Sequence, residues 1–185
     1  MSANRPQGPI EALVPGEPPI DPDLRIGHVH LRTADIDRVR DFYVGIMGFD
    51  VVFEARDVPG WGGTGDVLFI SAGGYHHHLG FNTWLSRGGT PQERGRTGLH
   101  HVALNFSTRA RLADVVGRLV EAGVELRLVT DHGTHQAVYL SDPDGNDLEL
   151  AWDRSPDLWP VPGEDMSYID KPLDLDELLA ARSRS

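Results

Sequence analysis

The sequence predicts an α+β protein made of two copies of one βαβββ unit, and three observations predict it. Ile26-Gly27-His28-Val29-His30-Leu31-Arg32 and Leu99-His100-His101-Val102-Ala103-Leu104-Asn105 share the apolar–polar alternation of a half-buried strand. Each is followed by a polar turn and an amphipathic helical pattern. Each helix is then followed by three short strand patterns before the copy ends.

In the first copy, Ile36, Val39, Phe42 and Tyr43 recur at helical spacing, with Thr33 as the expected N-cap and Gly48 just past the end. The strands VVFEA, VLFISA and HHLGFNTW follow, and GWGGTG (Gly60 to Gly65) reads as a flexible rim loop. Ser86 to Gly98 is rich in Gly, Arg and Pro and reads as a linker. In the second copy Leu112, Val115, Val116, Leu119 and Val120 mark the helix, Ser107 its expected cap and Gly123 its stop. VELRLV, AVYLS and DLELAW are its strands, the last two joined by the tight turn Asp142 to Asn146, to which no chemistry is assigned. The expected organisation is an N-terminal arm over 1–24, a domain over 25–154 with modules at about 25–85 and 98–154, and a C-terminal arm with a short helix over 155–185. Trp159 is expected to anchor that arm, and the helix to run from Leu173 with Asp174 near its start.

Composition removes several classes of function. The net charge of −11 repels nucleic acid and anionic membranes. The absence of Cys excludes disulfides, thiolate metal sites and a cysteine nucleophile. No apolar run reaches the roughly 20 residues of a membrane span. The first residues lack a basic start followed by an apolar block, so the expectation is a cytoplasmic protein without a secretory signal. No phosphate-binding glycine fingerprint or G-x-S-x-G elbow occurs.

What remains is histidine and one glutamate. His28 and His101 occupy the same place in the two copies, 73 positions apart. Glu149 lies between Leu148 and Leu150 in a strand that reads as buried, where an ionised carboxylate is costly without a positive partner. Two imidazoles and a carboxylate form the triad of non-haem Fe(II) sites, and the same donors suit Mn, Co, Ni or Zn. In Tyr75-His76-His77-His78-Leu79, strand alternation puts His76 and His78 on one face and His77 on the other. The repeat offset carries His78 to within two residues of Glu149, so His78 is expected in the cleft as a fourth ligand or near neighbour of the metal. His132, in Asp131-His132-Gly133, and Tyr139 stand where they reach the metal's open side. Their ordinary alternatives are a turn histidine and a packed tyrosine.

Taken together, IGHVHLRTADIDRVRDFYVGIMGF, FISAGGYHHHLGFNTW, GLHHVAL and DHGTHQAVYLSDPDGNDLELAWDR resemble the vicinal oxygen chelate superfamily of glyoxalases, bleomycin and fosfomycin resistance proteins and extradiol dioxygenases. The resemblance covers Arg25 to Arg154. YHHHLGFNTW and the DHG…YLSDPDGN…E run are most similar to its catechol 2,3-dioxygenase branch. It implies paired βαβββ modules forming a cupped mixed sheet around one divalent metal. His28, His101 and Glu149 match its ligands, and His78 matches the fourth-ligand site of glyoxalase-like members. His77 or His78 resembles the acid–base histidine, and His132 and Tyr139 the pair that positions substrate and oxygen. The implied function is an Fe(II) extradiol dioxygenase, a homodimer acting on a catechol-like diol with O2. A glyoxalase-like isomerase or lyase, a resistance transferase and a non-catalytic binding protein of the same fold are the alternatives. Two differences from the family's patterns stand out: many extradiol enzymes carry two paired-module domains, and glyoxalases carry glutamate where this chain has His78.

Overall fold

A computed structural model describes residues 20–21, 23–93, 95–160 and 171–183 of the chain. The first copy runs β1 (Val29–Arg32), α1 (Ile36–Arg40), β2 (Asp50–Gly60), β3 (Gly63–Ser71) and β4 (Leu79–Asn82). The second runs β5 (Val102–Asn105), α2 (Arg109–Glu121), β6 (Leu128–Asp131), β7 (His135–Ser141) and β8 (Asp147–Asp153). Their sheets have the same order, β1-β4-β3-β2 and β5-β8-β7-β6, with the first strand parallel to the last and every other pair antiparallel. The βαβββ repeat read in the sequence is thus an architectural repeat, in two mixed sheets. A short β9 (Lys171–Pro172) extends the second sheet at β6, and α3 (Leu175–Leu179) follows it.

Strand period divides each sheet into two faces. In the first, Val29, Leu31, Leu68, Ile70, Leu79 and Phe81 lie in the core; in the second, Val102, Leu104, Val138, Leu140, Leu148 and Leu150 do. Helix residues Ile36, Val39, Phe42, Tyr43, Leu112, Ala113, Val115, Val116 and Leu119 join them in one apolar cluster that spans both copies. The opposite face carries Tyr139 and Glu149 in the second sheet, and His30 beside Phe69 in the first.

Helix starts differ from expectation by one or two residues. Asp35 rather than Thr33 caps α1, accepting from the amides of Asp37 (2.9 Å) and Arg38 (3.2 Å). Thr33 is buried and its hydroxyl meets the Asp144 carboxylate instead. Thr108 rather than Ser107 caps α2, because the chain stays extended through Thr108 and its hydroxyl accepts from Arg111 N–H at 3.2 Å. After Arg40 the helix widens into a π-helical turn, Asp41–Ile46, closed by Met47 N–H to Phe42 O at 3.0 Å. Gly48 and Gly123 leave the two helices at φ of +88° and +73°, the left-handed stop that glycine permits. Val120 is 40% exposed at the edge of the α2 stripe, where the sequence placed it inside. The strand expected from Val124 begins only at Leu128: Val124 N–H still closes the helix on Leu119 O, so the next residues cross to the sheet.

Two further expectations change. GWGGTG is the end of a β-hairpin rather than a flexible loop: a Cβ on Gly60 would stand 1.9 Å from the Trp84 ring, so the bare glycine lets the indole lie against the strand. His76, His77 and His78 precede β4 in a turn that leaves β3 through Gly73 and Gly74, so strand alternation does not apply to them. The terminal helix is present, with Asp174 accepting from the Asp176 and Glu177 amides. Trp159 donates its indole N–H to Arg154 O at 2.8 Å, while the arm beyond it, 161–170, and the N-terminal arm up to residue 19 lie outside the described residues. Among the described residues no helix is long and apolar enough to cross a membrane.

The turn Asp142 to Asn146 joins the copies. Buried Asp142 accepts from the amides of Asp144 (2.9 Å) and Asn146 (2.8 Å) and from the Tyr43 hydroxyl of the first copy at 3.1 Å. Asp144 accepts from Arg38 at 2.6 Å and from Ala34 N–H at 3.2 Å. Burial raises the Asp142 carboxyl above the ordinary carboxylate range, against the hydrogen bonds that lower it. Tyr43→Phe removes one of those bonds without changing volume. It should cost about 1–2 kcal/mol in urea unfolding; an unchanged midpoint would show that the Tyr43–Asp142 contact adds nothing to the joint.

Candidate metal centre

Glu149 is the focus of the second sheet's polar face. β8 sits between β5 and β7, with Ala103 beside Glu149 on one side and Tyr139 on the other. The side chain is 7% exposed, yet both oxygens are met: Oε2 lies 3.0 Å from His101 Nε2 and Oε1 lies 2.9 Å from His135 Nε2. His101 stands just before β5, as its repeat position foretells. His135 opens β7, and on that strand His135, Ala137 and Tyr139 share a face. The pair between His135 and Glu149 is Ala137 opposite Ala151, so no large side chain separates the imidazole from the carboxylate.

His132 Nε2 lies 3.1 Å from the Tyr139 hydroxyl, a contact between the two residues that the resemblance pairs by role. The His132 and His135 rings lie 4.6 Å apart, and Tyr139 lies edge-on to His101 at 5.8 Å. Four candidate side chains, His101, His132, Tyr139 and Glu149, thereby surround one spot, with His135 as a fifth. Among the described residues one set of three donors, His132, His135 and Glu149, has its ligand atoms within 4.8 Å of one another.

His28, His77 and His78 gather separately, on the first sheet. The His28 and His77 rings are 4.3 Å apart, and His77 stacks on Phe69 at 4.6 Å with an interplanar angle of 13°. His76 Nδ1 meets His77 Nδ1 at 2.8 Å. His78 Nδ1 accepts from Ala72 N–H at 3.3 Å and lies 3.0 Å from Ser71 Oγ. Phe53, Phe69, His30 and Trp84 continue the strip, with successive ring centroids 5.7–6.1 Å apart. Partial burial, then the charge of neighbouring His28, lowers the proton affinity of His30 and His77. His28 is thus not in the three-donor set around Glu149, and the first sheet presents an aromatic, imidazole-lined surface of its own.

The donor set fits a divalent cation. A carboxylate this buried, whose partners are imidazole nitrogens, combines the oxygen and nitrogen donors that borderline divalent metals take. Sequence reasoning missed His135. Its signal was available in the alternation His135-x-Ala137-x-Tyr139, which aligns it with a residue already singled out.

The loop carrying His132 is held by Arg154, which donates to Asp131 Oδ1 at 2.7 Å and Oδ2 at 2.5 Å and to Gly133 O at 3.3 Å. The Arg154 hydrogen bonds hold the Asp131 carboxyl down to about 2. With the folded value below the unfolded one near 4, this pair stabilises fully above about pH 4 and its contribution is lost as pH falls toward 2. The gain is at most about 1 kcal/mol for so accessible a pair. Asp131→Asn should flatten this acid limb in unfolding measured from pH 5 to 2, whereas an acid limb identical to wild type would remove the pair from the loop's stability.

Comparison with known proteins agrees with this architecture. Residues 25–150 match the model of the Glyoxalase/Bleomycin resistance protein/Dioxygenase superfamily. The chain is 35% identical over 104 residues to a catechol-2,3-dioxygenase of Bacillus subtilis, a match covering 56% of this chain and 34% of that protein. The chain therefore spans about a third of that relative's length. It is 30% identical over 151 residues to biphenyl-2,3-diol 1,2-dioxygenase 2 of Rhodococcus globerulus, covering 80% of this chain and 70% of the relative. Among solved structures, a glyoxylase/bleomycin resistance protein/dioxygenase domain from Frankia sp. EAN1pec superposes with a TM-score of 0.59 at 20% identity, over 71% of this chain and 98% of that one. At that identity the likeness establishes the fold.

Proposed function

We propose that this chain, which belongs to the glyoxalase, bleomycin resistance protein and dioxygenase superfamily, is a metal-dependent extradiol dioxygenase of catechol-like diols. The observation that carries the reading is the buried Glu149 carboxylate held by His101, beside the His132–Tyr139 pair. The names of the relatives, a catechol-2,3-dioxygenase and a biphenyl-2,3-diol dioxygenase, support the same chemistry. His101 and Glu149 would hold the ion, with His28 and His78 of the first sheet completing the ligand set in a homodimer. Fe(II) held there would supply electron transfer between the diol and O2.

The remaining roles belong to the chain. The Glu149 oxygens and the imidazole nitrogens offer the mixed oxygen and nitrogen donors that a borderline divalent ion takes. Tyr139 and His132, hydrogen-bonded to each other, orient the substrate's polar atoms, and His77 transfers the proton released from the diol. The carbon–carbon bond beside the diol breaks, and both atoms of O2 enter the ring-opened product.

Anaerobic loading with Fe(II), followed by catechol or 2,3-dihydroxybiphenyl and air, should give a yellow ring-fission product. Glu149→Gln should lower bound metal at least 10-fold in elemental analysis. No colour with any diol, together with activity on a thiol adduct under Ni or Mn, would replace this reading with a glyoxalase-like one. Sedimentation at the monomer mass of 20.4 kDa alone would remove the homodimer.

A further inference from the structure

We infer that His135 is a positioning residue of the metal centre, holding the Glu149 oxygen that does not face the ion. The inference rests on the metal-site reading above, in which His101 and Glu149 hold the ion, and it takes His135 out of the three clustered donors to give it a different task.

The division of labour follows from the two ends of the carboxylate. Ligand atoms that share one ion at about 2.0–2.2 Å and stand at right angles are separated by about 3 Å. His101 Nε2 and Glu149 Oε2 lie 3.0 Å apart and His135 Nε2 and Oε1 2.9 Å apart, so both pairs have the spacing of neighbouring donors; it is the repeat position of His101, equivalent to His28, that assigns Oε2 to the ion. The other oxygen, Oε1, is the one beside His135 Nε2. A carboxylate with one oxygen on a metal needs its second oxygen pinned, or it rotates and the ligand is lost.

His135 is itself fixed. Its Nδ1 lies 2.8 Å from the Thr134 hydroxyl. When that hydroxyl donates, the ring's single proton sits on Nε2, aimed at Oε1. The backbone confirms the placement from the other side: Arg154 N–H donates to Thr134 O at 2.9 Å, tying the start of β7 to the end of β8. The order Thr134–His135–Glu149–His101 is therefore a continuous line of contacts across β7, β8 and the start of β5. His132, ring to ring with His135 at 4.6 Å, joins the same line to the Tyr139 hydroxyl. Ala137 and Ala151 are what permit it, since a larger side chain at either would fill the space His135 crosses.

The experiment is a metal-affinity titration of the full chain with Fe(II) or Co(II) against a competing chelator, with unfolding curves as the control for folding. His135→Ala should weaken binding 10–100-fold, and His101→Ala should abolish it. His135→Gln keeps an N–H donor and should recover to within about threefold of wild type, and the Co(II) absorption bands should shift in His135→Ala and return in His135→Gln. Unchanged affinity in His135→Ala, with binding lost in Glu149→Gln, would overturn the positioning role while leaving the metal site standing. Binding abolished equally by His135→Ala and His135→Gln would make His135 a ligand and also overturn it. Unchanged affinity in Glu149→Gln would overturn the metal-site reading itself.

Discussion

The structure depends on a carboxylate where a carboxylate is expensive. Glu149 lies in the central strand of the second sheet, and leaving its charge there without compensation would cost more than a typical stabilising contact returns. The compensation is two imidazole nitrogens, one for each oxygen. Holding them requires three strands in register: β5 to bring His101, β8 to carry Glu149, and β7 to start at His135. Any cation that replaces one of these hydrogen bonds inherits a site already shaped for it.

The sheets separate stability from chemistry through their period of two. Leu148, Leu150, Val138 and Leu140 point into the helix-covered core, while Glu149, Ala151, Ala137 and Tyr139, one residue out of phase, point the other way. Small residues between the functional ones are as informative as the functional ones. Ala137 and Ala151 turn a flat face into a floor over which side chains four residues apart on neighbouring strands can meet. The first sheet uses its polar face differently, laying Phe53, Phe69, His77 and His28 into an aromatic strip.

The repeat, the element order and most of the core were legible because they rest on periodicity, which each copy states independently. His101 was legible from its repeat equivalence with His28, Glu149 from a carboxylate set in a buried strand, and His132 with Tyr139 from the resemblance to the dioxygenase branch. What could not be read was local competition for hydrogen bonds. Thr33 looked like a cap, but its hydroxyl meets Asp144, a residue 111 positions away, and Asp35 takes the helix instead. The three consecutive histidines looked like a strand because nothing in their own identities reveals that the chain has left β3 through Gly73 and Gly74. GWGGTG looked mobile because a glycine selected for the close approach of Trp84 is indistinguishable, in sequence, from one selected for freedom. His135 was passed over because its partner lies across the sheet, and only register places it there.

Register is also where the two copies meet. The Asp142 to Asn146 turn sets where β8 begins, and with that which residues of β8 face the core. A slip of one residue would carry Glu149 into the apolar cluster and Leu148 onto the polar face. The turn is fixed from outside its own module: Tyr43 reaches Asp142, and Arg38, Ala34 and Thr33 reach Asp144. All four belong to the first copy, on or just before α1 and its π-helical extension. The depth at which Glu149 sits is therefore set by a helix of the other copy. The first copy keeps its imidazoles on its own sheet, but it holds the turn that phases the strand bearing the carboxylate. A reading in which the first module serves only as a wall for substrate would leave those four contacts without a function. Phasing β8 gives them one.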